Sequence, residues 1–258
     1  MPRRWALWAD GGKRLRPDYL DEEEAAASHS ESNCPVPPGS VLTCSDAAAS
    51  SSFTQVRSQA LRSVCGDRHC RDGLHWSILG RALARSGHNV TFGSRHPERE
   101  ELELTAEGAS IAAVSSVLAS AEVIILALPG AAVADLATEN SAALVGKLVI
   151  DATNQMGAPV ANSRAALPPS VRYARAFNTL GGENMADPVF ADGPADMFFS
   201  APEQDQQIVA NVIQSVGLRP IYVGQDQEEL IDALFRVWIA LAIGQKRGRR
   251  LALRLLEK

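Results

Sequence analysis

The sequence predicts an α/β fold in which a doubly wound parallel sheet is covered by helices on both faces. From about residue 80 onward, short apolar runs alternate with segments of helical periodicity. The apolar runs are nearly continuous, which is typical of strands that are buried on both faces of a parallel sheet. Because crossovers between parallel strands are right-handed, this order of elements gives a doubly wound sheet.

Six segments are predicted as strands. The segment over 122–128 (EVIILAL) is the clearest, because it is apolar almost throughout and is followed by Pro129 and Gly130. Pro220 lacks a backbone N–H group and therefore places the last strand at an edge of the sheet. The predicted strands cover residues 89–93, 122–128, 147–151, 171–177, 196–200 and 218–223.

Helices are predicted between the strands and at the C-terminus. They cover residues 80–86, 98–107, 130–144 and 203–216, followed by one long C-terminal helix over 227–257. Apolar residues recur in the last segment at helical spacing, and basic residues crowd its end, where cations suit the helix dipole. We expect this helix to pack on the sheet with a solvated basic end; a homodimer interface and a basic lip of a substrate pocket are the alternatives.

Composition and charge exclude several classes of protein. Of the 258 residues, 46% are hydrophobic and 21% are charged, which is an ordinary globular balance. The net charge of -5 argues against a general nucleic-acid-binding protein. No run of 18 or more apolar residues predicts a membrane span. We expect a cytoplasmic protein, and the basic residues near the N-terminus leave organelle targeting open.

The first part of the chain does not read as a folded unit. Residues 1–60 are rich in Ser, Ala, Pro and Glu without periodicity, which predicts a disordered or low-complexity tail before a domain over 61–258. All four cysteines (Cys34, Cys44, Cys65 and Cys70) lie within the first 70 residues. Because no second ligand pair follows at zinc-site spacing, we expect unpaired thiols and no metal site.

The residues after the strand over 89–93 point to a phosphate group. Cofactors of doubly wound sheets bind at the carboxyl ends of the strands, and an arginine after the second strand favours the 2′-phosphate of NADP over the free ribose of NAD. This chain has Ser94 and Arg95 there. The guanidinium gives a planar, multi-donor match to a phosphate. The alternative is a polar loop that merely ends a strand.

Four segments together resemble a known family. They are GRALARSGHNVTFGSRHPE, EVIILALPG, KLVIDATNQM and AFNTLGGENMADP. They are similar to the deazaflavin-dependent NADP reductases (NADP oxidoreductases of the coenzyme F-420-dependent type), which are related to the N-terminal domain of pyrroline-5-carboxylate reductase and to the cytosolic domain of the six-transmembrane metalloreductases. The resemblance covers about residues 78–256. It implies a Rossmann-like fold that binds NADP(H) and passes a hydride to or from a deazaflavin, a flavin or another small acceptor.

The resemblance also implies a set of cofactor-binding residues. Ser94 and Arg95 would hold the 2′-phosphate. Leu128 and Pro129 would line the cofactor channel, and the residues from Asp151 onward would surround the nicotinamide. We expect no catalytic acid–base residue in the chain, because the cofactor supplies the chemistry. Asn154 and Asn178 would position amide groups; the alternative is that they make hydrogen bonds within local turns. The implied residues are Gly80, Ser94, Arg95, Leu128, Pro129, Asp151, Thr153, Asn154, Phe177, Asn178 and Thr179.

The glycine-rich, phosphate-binding segment departs from the pattern of the family. Its first strand runs into G-x-G-x-x-G, whereas residues 75–80 (HWSILG) keep only the last glycine, Gly80. His75 and Ser77 would crowd the pyrophosphate if they stood in place of the first two glycines. A makeshift first strand over 61–65 would need a long loop before Gly80. The chain is therefore either a diverged member with an insertion, or its first 77 residues come from a mis-set reading frame or exon.

Two functions of different class follow. The first is an NADP(H)-dependent oxidoreductase. The second is a catalytically inactive Rossmann remnant, which would act at most as a binding or interaction domain. The cytosolic half of a membrane reductase is a third, weaker interpretation. Binding of NADPH separates the first from the second.

Overall fold

The computed structural model describes residues 61–64, 73–95, 97, 108–154 and 161–258. The chain divides into two units, Met1–Ser52 and Phe53–Lys258, and every described residue lies in the second unit. The predicted tail over 1–60, the predicted helix over 98–107 and the four cysteines lie outside the described residues. In the described part of the chain, no helix is long and apolar enough to cross a membrane.

The central sheet has six parallel strands in the order β3-β2-β1-β4-β5-β6, which is the order of the dinucleotide-binding Rossmann fold. The strands are β1 (Leu61–Val64), β2 (Thr91–Ser94), β3 (Ser110–Ala113), β4 (Val123–Leu126), β5 (Leu148–Asp151) and β6 (Arg172–Arg175). The predicted strands over 89–93, 122–128, 147–151 and 171–177 match β2, β4, β5 and β6. The predicted α/β doubly wound fold is confirmed.

The centre of the sheet is formed by β1. It pairs with β2 on one side and with β4 on the other. The segment over 61–65, which was considered as a first strand, therefore contains the central strand of the sheet. The strand β3, at one edge, was not predicted. Its four residues are at least partly exposed, so they lack the apolar run that marks the buried strands.

Eight α-helices are found among the described residues. They are α1 (Gly73–Arg85), α2 (Val114–Ser120), α3 (Val133–Glu139), α4 (Ser141–Leu144), α5 (Ala161–Ala166), α6 (Gly182–Ala186), α7 (Gln206–Ser215) and α8 (Glu228–Ile239). The first helix begins at Gly73 rather than at residue 80, so residues 75–80 are helical and do not form the loop that we expected. No glycine or proline interrupts the chain between Gly73 and Gly80, so nothing delays the start of the helix.

The helix predicted over 130–144 is divided. A 3₁₀ turn over Gly130–Ala132 precedes α3, and the break before α4 lies at Asn140. The backbone N–H of Asn140 still makes the helical bond to the carbonyl of Leu136, and its side-chain amide donates to the same carbonyl. This side-chain bond competes with continuation of the helix. The helix predicted over 203–216 is present as a 3₁₀ turn followed by α7.

Four further strands lie beyond β6 in the sequence. A short hairpin of β7 (Val189–Phe190) and β8 (Gly193–Pro194) precedes the parallel pair β9 (Asp196–Phe199) and β10 (Arg219–Tyr222). An antiparallel bridge between Arg175 and Ser200, with N···O distances of 2.8 and 3.1 Å, joins this pair to β6. Within the described strands, β10 pairs only with β9, as Pro220 predicts for an edge strand.

The C-terminal helix is shorter than expected. After α8 the chain makes a π-helical turn over Ala240–Gly244, and residues after Gly244 are not helical, so the predicted end at residue 257 is wrong. Lys246 and Gly248 have φ angles of 54° and 85°, which turn the chain away from the helix axis. Residues 249–255, called the C-terminal tail below, then run back across α6.

Helices cover both faces of the sheet. Ile125 and Ile150 point to one face, where they pack in a cluster with Leu83 of α1 and with residues of α7. Ile124 and Val149 point to the other face and pack against α2 and α3. The alternation leaves only the ends of the strands open to a ligand, and the carboxyl ends carry the polar residues of the predicted site.

Candidate cofactor site at the carboxyl edge of the sheet

The pairing register aligns the ends of five strands. Gly93, Val64, Leu126, Asp151 and Arg175 form a row across the sheet. The predicted cofactor residues of β2, β4, β5 and β6 lie in or directly after this row, so the structure brings them to one edge. With strands about 4.8 Å apart, the ends of β2 and β6 are separated by roughly 19 Å.

Ser94 and Arg95 occupy the predicted position for a 2′-phosphate. Ser94 is the last residue of β2 and is buried, and Arg95 follows directly and is exposed. Both residues also take part in interactions within the chain. The second strand thus ends one residue later than the predicted end at residue 93.

Gly80 lies where α1 crosses β2. A Cβ atom at this position would come within 2.2 Å of Cζ of Phe92, whose side chain is only 2% exposed. The missing side chain thus allows close helix–strand packing, which is the role of the last glycine in the dinucleotide-binding motif. The start of α1 lies seven residues earlier, roughly 10 Å further along the helix axis.

Leu128 and Pro129 follow β4. Leu128 is buried within the cluster of α2 and α3, and Pro129 is half-buried before the 3₁₀ turn.

Phe177 has a backbone conformation that is rare for a bulky residue. Its φ angle is 69°, and its ring is buried. Its N–H donates to Sδ of Met197 at 3.2 Å. Such a conformation costs about 1–3 kcal/mol and occurs most often at functional sites. The strained residue directly precedes Asn178 and Thr179, which are both buried.

Asn178 presents an amide oxygen that lacks a donor. Its Nδ2 donates to the carbonyl of Thr153 at 2.8 Å and to Oδ1 of Asn154 at 3.2 Å. Because a backbone carbonyl only accepts, the first bond fixes which end of the amide is nitrogen. Oδ1 is buried and has no hydrogen-bond partner in the described part of the chain. A buried acceptor of this kind is suited to a donor on a ligand.

Asp151 holds the turn after β5. Its Oδ1 accepts from the N–H of Thr153 at 2.8 Å, and its Oδ2 accepts from the hydroxyl of Tyr173 at 2.6 Å. The carboxylate is fully buried. Burial, and next the negative charge of Asp151, raise the pKa of Tyr173 well above its usual value, so this hydroxyl stays a donor. Asp151 therefore shapes the loop through contacts within the chain.

Three residues of this cluster were not predicted from the sequence: Tyr173, Arg175 and Asp232. Arg175 is 1% exposed and contacts Asp151 and Asp232, each at 3.1 Å. An arginine within a strand predicted to be buried requires partners, and this signal could have identified Arg175. Nothing local indicated Asp232, because an acid on a helix usually faces solvent.

A shallow cavity of about 450 Å³ lies elsewhere, at the amino ends of β4, β5 and β6. Its lining includes Glu122, Lys147, Arg172 and Ile208, and none of the predicted cofactor residues. Ligands of open α/β sheets bind at the carboxyl ends of the strands, so we do not assign the cofactor to this cavity.

Residues 76–155 match the family model described as NADP oxidoreductase, coenzyme F420-dependent. The match covers less than a third of the chain. It runs from α1 to the turn after β5 and includes Ser94, Arg95, Asp151 and Asn154. The predicted resemblance to this family is thereby confirmed, and the described residues have a Rossmann-like fold.

Solved structures with the same fold come from several organisms. A protein from Arthrobacter sp. FB24, assigned as an F420-dependent NADP-reductase, is 24% identical with a TM-score of 0.61; the match covers 76% of this chain and 99% of that one. Protein SMa0349 from Sinorhizobium meliloti is 22% identical with a TM-score of 0.55, covering 79% and 98%. The reductive aminase from Aspergillus terreus, in complex with NADPH and ethyl levulinate, is 20% identical with a TM-score of 0.55, covering 72% and 63%. A search of curated proteins found no match.

Proposed function

We propose that this chain is an NADP(H)-dependent oxidoreductase that transfers a hydride between NADPH and a flavin-like or other small acceptor. The observation that carries the proposal is the position of Ser94 and Arg95 at the end of β2. Strand pairing places this end in one row with the polar turns after β5 and β6. Bound NADPH would supply the hydride, and the chain would bind and orient it.

The residues at the two ends of this edge suit different parts of the cofactor. At the β2 end, the guanidinium of Arg95 and the hydroxyl of Ser94 would bind the 2′-phosphate. At the β6 end, the unpartnered Oδ1 of Asn178 would accept a hydrogen bond from the nicotinamide carboxamide. Thr179 and Asn154 would border the same end, and Leu128 and Pro129 would exclude water.

The pyrophosphate needs a different account, because the chain lacks G-x-G-x-x-G. We place it at the start of α1, where free backbone N–H groups and the helix dipole favour an anion.

The acceptor is proposed from the description of the matching family model. A deazaflavin, which the family description names through coenzyme F420, is our first candidate, and a flavin is the second. We also propose a cytoplasmic location. A homodimer stays a prediction of the exposed apolar residues on α8, such as Leu230 and Val237.

An inactive Rossmann remnant is the second candidate. The loss of the glycine motif favours it, since the connection over 65–72 contains a single glycine, Gly66. Such a protein would keep the fold of β1–β6 and would not bind NADPH.

The substitution Arg95→Asp tests the role of the β2 end. A charge-assisted hydrogen bond contributes about 1.5–3 kcal/mol, so the Kd for NADPH should rise roughly ten- to a hundredfold, with little change for NADH. Calorimetric titration of both cofactors measures the two constants.

The matched control is Arg85→Asp, which makes the same change in net charge. Arg85 is exposed at the C-terminal end of α1, near the opposite edge of the sheet. We expect no selective loss of NADPH from this variant. An equal loss of NADPH and NADH in Arg95→Asp would contradict the proposed role.

A further inference from the structure

We propose that Arg175 is a positioning residue for the nicotinamide end of the site, and that Asp232 of α8 holds it in place. This inference rests on the proposed function. Arg175 would not contact the cofactor; it would fix the carbonyl of Thr153, and through it the amide of Asn178.

Arg175 is the last residue of β6 and lies opposite Asp151 in the pairing register. Its Nη1 lies 3.1 Å from Oδ1 of Asp151 and donates to the carbonyl of Thr153 at 2.6 Å. Its Nη2 donates to Oδ1 of Asp232 at 3.1 Å. A buried guanidinium is tolerated only with such partners, and its planar fork holds them in one fixed arrangement.

The carbonyl of Thr153 joins Arg175 to the proposed cofactor contact. It accepts from Nη1 of Arg175 at 2.6 Å and from Nδ2 of Asn178 at 2.8 Å. A shift of the guanidinium therefore moves this carbonyl, and the amide of Asn178 moves with it. The oxygen of that amide is the atom that we assign to the nicotinamide carboxamide.

Asp232 ties the C-terminal helix to this end of the sheet. It is 57 residues away in sequence and 7% exposed, and its carboxylate accepts from Arg175. A buried ion pair contributes little net stability compared with well-packed apolar residues, whereas loss of one partner is costly. The ion pair would therefore serve to orient the guanidinium of Arg175 rather than to stabilise the fold.

The variants Arg175→Lys and Asp232→Asn test this inference without an acceptor. Each is titrated with NADPH and with adenosine 2′,5′-bisphosphate, the half of NADP that carries the 2′-phosphate and lacks the nicotinamide. For Arg175→Lys we expect the Kd for NADPH to rise roughly tenfold, as for one lost hydrogen bond, with the bisphosphate Kd unchanged. Asp232→Asn keeps Arg175, so the Kd for NADPH should rise by a smaller factor.

The matched control is Arg219→Lys. Arg219 makes a bidentate ion pair with the buried Asp196, between β9 and β10, and touches none of the predicted site residues. Its substitution should leave the Kd of both ligands unchanged. This control separates the general loss of an Arg–Asp pair from the loss of positioning.

The outcomes distinguish the two proposals. Folded wild-type protein that does not bind NADPH would overturn the proposed function, and this inference with it. Wild-type binding together with an unchanged or equal effect on both ligands in Arg175→Lys would overturn this inference alone. If Arg175→Lys does not fold, Asp232→Asn decides: a loss confined to NADPH supports the inference, and no loss overturns it.

Discussion

Asp151 shows how one buried side chain determines the shape of the site. Its two carboxylate oxygens accept from the N–H of Thr153 and the hydroxyl of Tyr173, and Arg175 lies against the same group. These contacts within the chain hold the turn after β5. Polar groups that are fixed in this way would lower the entropic cost of binding a ligand.

His88 gives a test at the scale of one residue. Its Nε2 lies 2.7 Å from Oγ of Ser215, whose hydroxyl donates to the carbonyl of Asn211, so the ring nitrogen is the donor of this pair. Partial burial lowers the pKa of His88 below its ordinary value of 6.5. The unfolded chain therefore binds more protons near and below that pH, and stability falls as the pH falls.

We predict that His88→Gln loses less thermal stability than the wild type when the pH is lowered from about 7.5 to about 5.5. Glutamine keeps a donor for Ser215 and does not titrate. Thermal denaturation at a series of pH values measures the effect, which is small because His88 is only half-buried. Parallel curves for the two proteins would rule out a contribution from this histidine.

At the residue scale, sequence patterns predicted only groups of residues that are adjacent in the sequence. Ser94 and Arg95 were predicted as phosphate-binding residues because a strand end and two donors are adjacent in sequence. Arg175 and Asp232 are far apart in sequence, and Thr153 takes part through its backbone carbonyl. Side-chain type and spacing contain no signal for such a contact.

At the scale of elements, the contact between α1 and β2 depends on Gly80. We predict that Gly80→Ala destabilises the protein by about 1–3 kcal/mol, because the added methyl group would overlap the ring of Phe92. The ring is buried and cannot move aside at low cost. Urea denaturation measures the change in the free energy of unfolding.

Gly244→Ala is the matched control in a second helical segment. A Cβ atom there would come no closer than 4.0 Å to its nearest neighbour, the carbonyl of Ile239. Since alanine also favours helical backbone, this variant should be as stable as the wild type or slightly more stable. Equal effects at Gly80 and Gly244 would show that steric overlap at Gly80 is not the cause.

Element boundaries were predicted well where composition changes abruptly. The buried strands β4 and β5 stand out by their apolar residues, and β3 does not. The end of the C-terminal segment was missed because the apolar spacing continues into LALRLL, whereas Gly244 and Gly248 were the available stop signals.

At the scale of the whole domain, the C-terminal tail joins elements that are distant in sequence. The carbonyl of Leu251 accepts from Nε1 of Trp238 at 2.7 Å and from Nδ2 of Asn184 at 3.0 Å. The N–H of Leu255 donates to Oδ2 of Asp196 at 2.6 Å. The tail thus connects α8, α6 and β9.

We predict that deletion of residues 251–258 lowers the free energy of unfolding by about 1–3 kcal/mol, because Trp238 loses its acceptor and Asp196 loses a donor. Chemical denaturation measures this loss. Trp238→Phe removes the indole hydrogen bond together with part of a buried ring, and should cost at least about 0.5–1.5 kcal/mol. Unchanged stability of the deletion variant would show that the tail does not hold these elements together.

The overall topology could be predicted from the sequence, but the central strand β1 could not be predicted with the same clarity. The alternation of apolar runs and helical segments predicts a doubly wound sheet, and Pro220 correctly predicts an edge strand. The residues of β1 (LRSV) include an arginine and a serine, so no apolar run marks them as a central strand. Their place between β2 and β4 follows from the completed sheet.

The central claim is that the carboxyl edge of this sheet binds NADPH despite the missing glycine motif. Titration of the purified full chain with NADPH, followed by tryptophan fluorescence or calorimetry with NADH as the control, tests it most directly. We predict a Kd in the micromolar range for NADPH and clearly weaker binding of NADH. A protein that is folded by circular dichroism and binds neither cofactor would contradict the account and leave the inactive Rossmann domain as the correct interpretation.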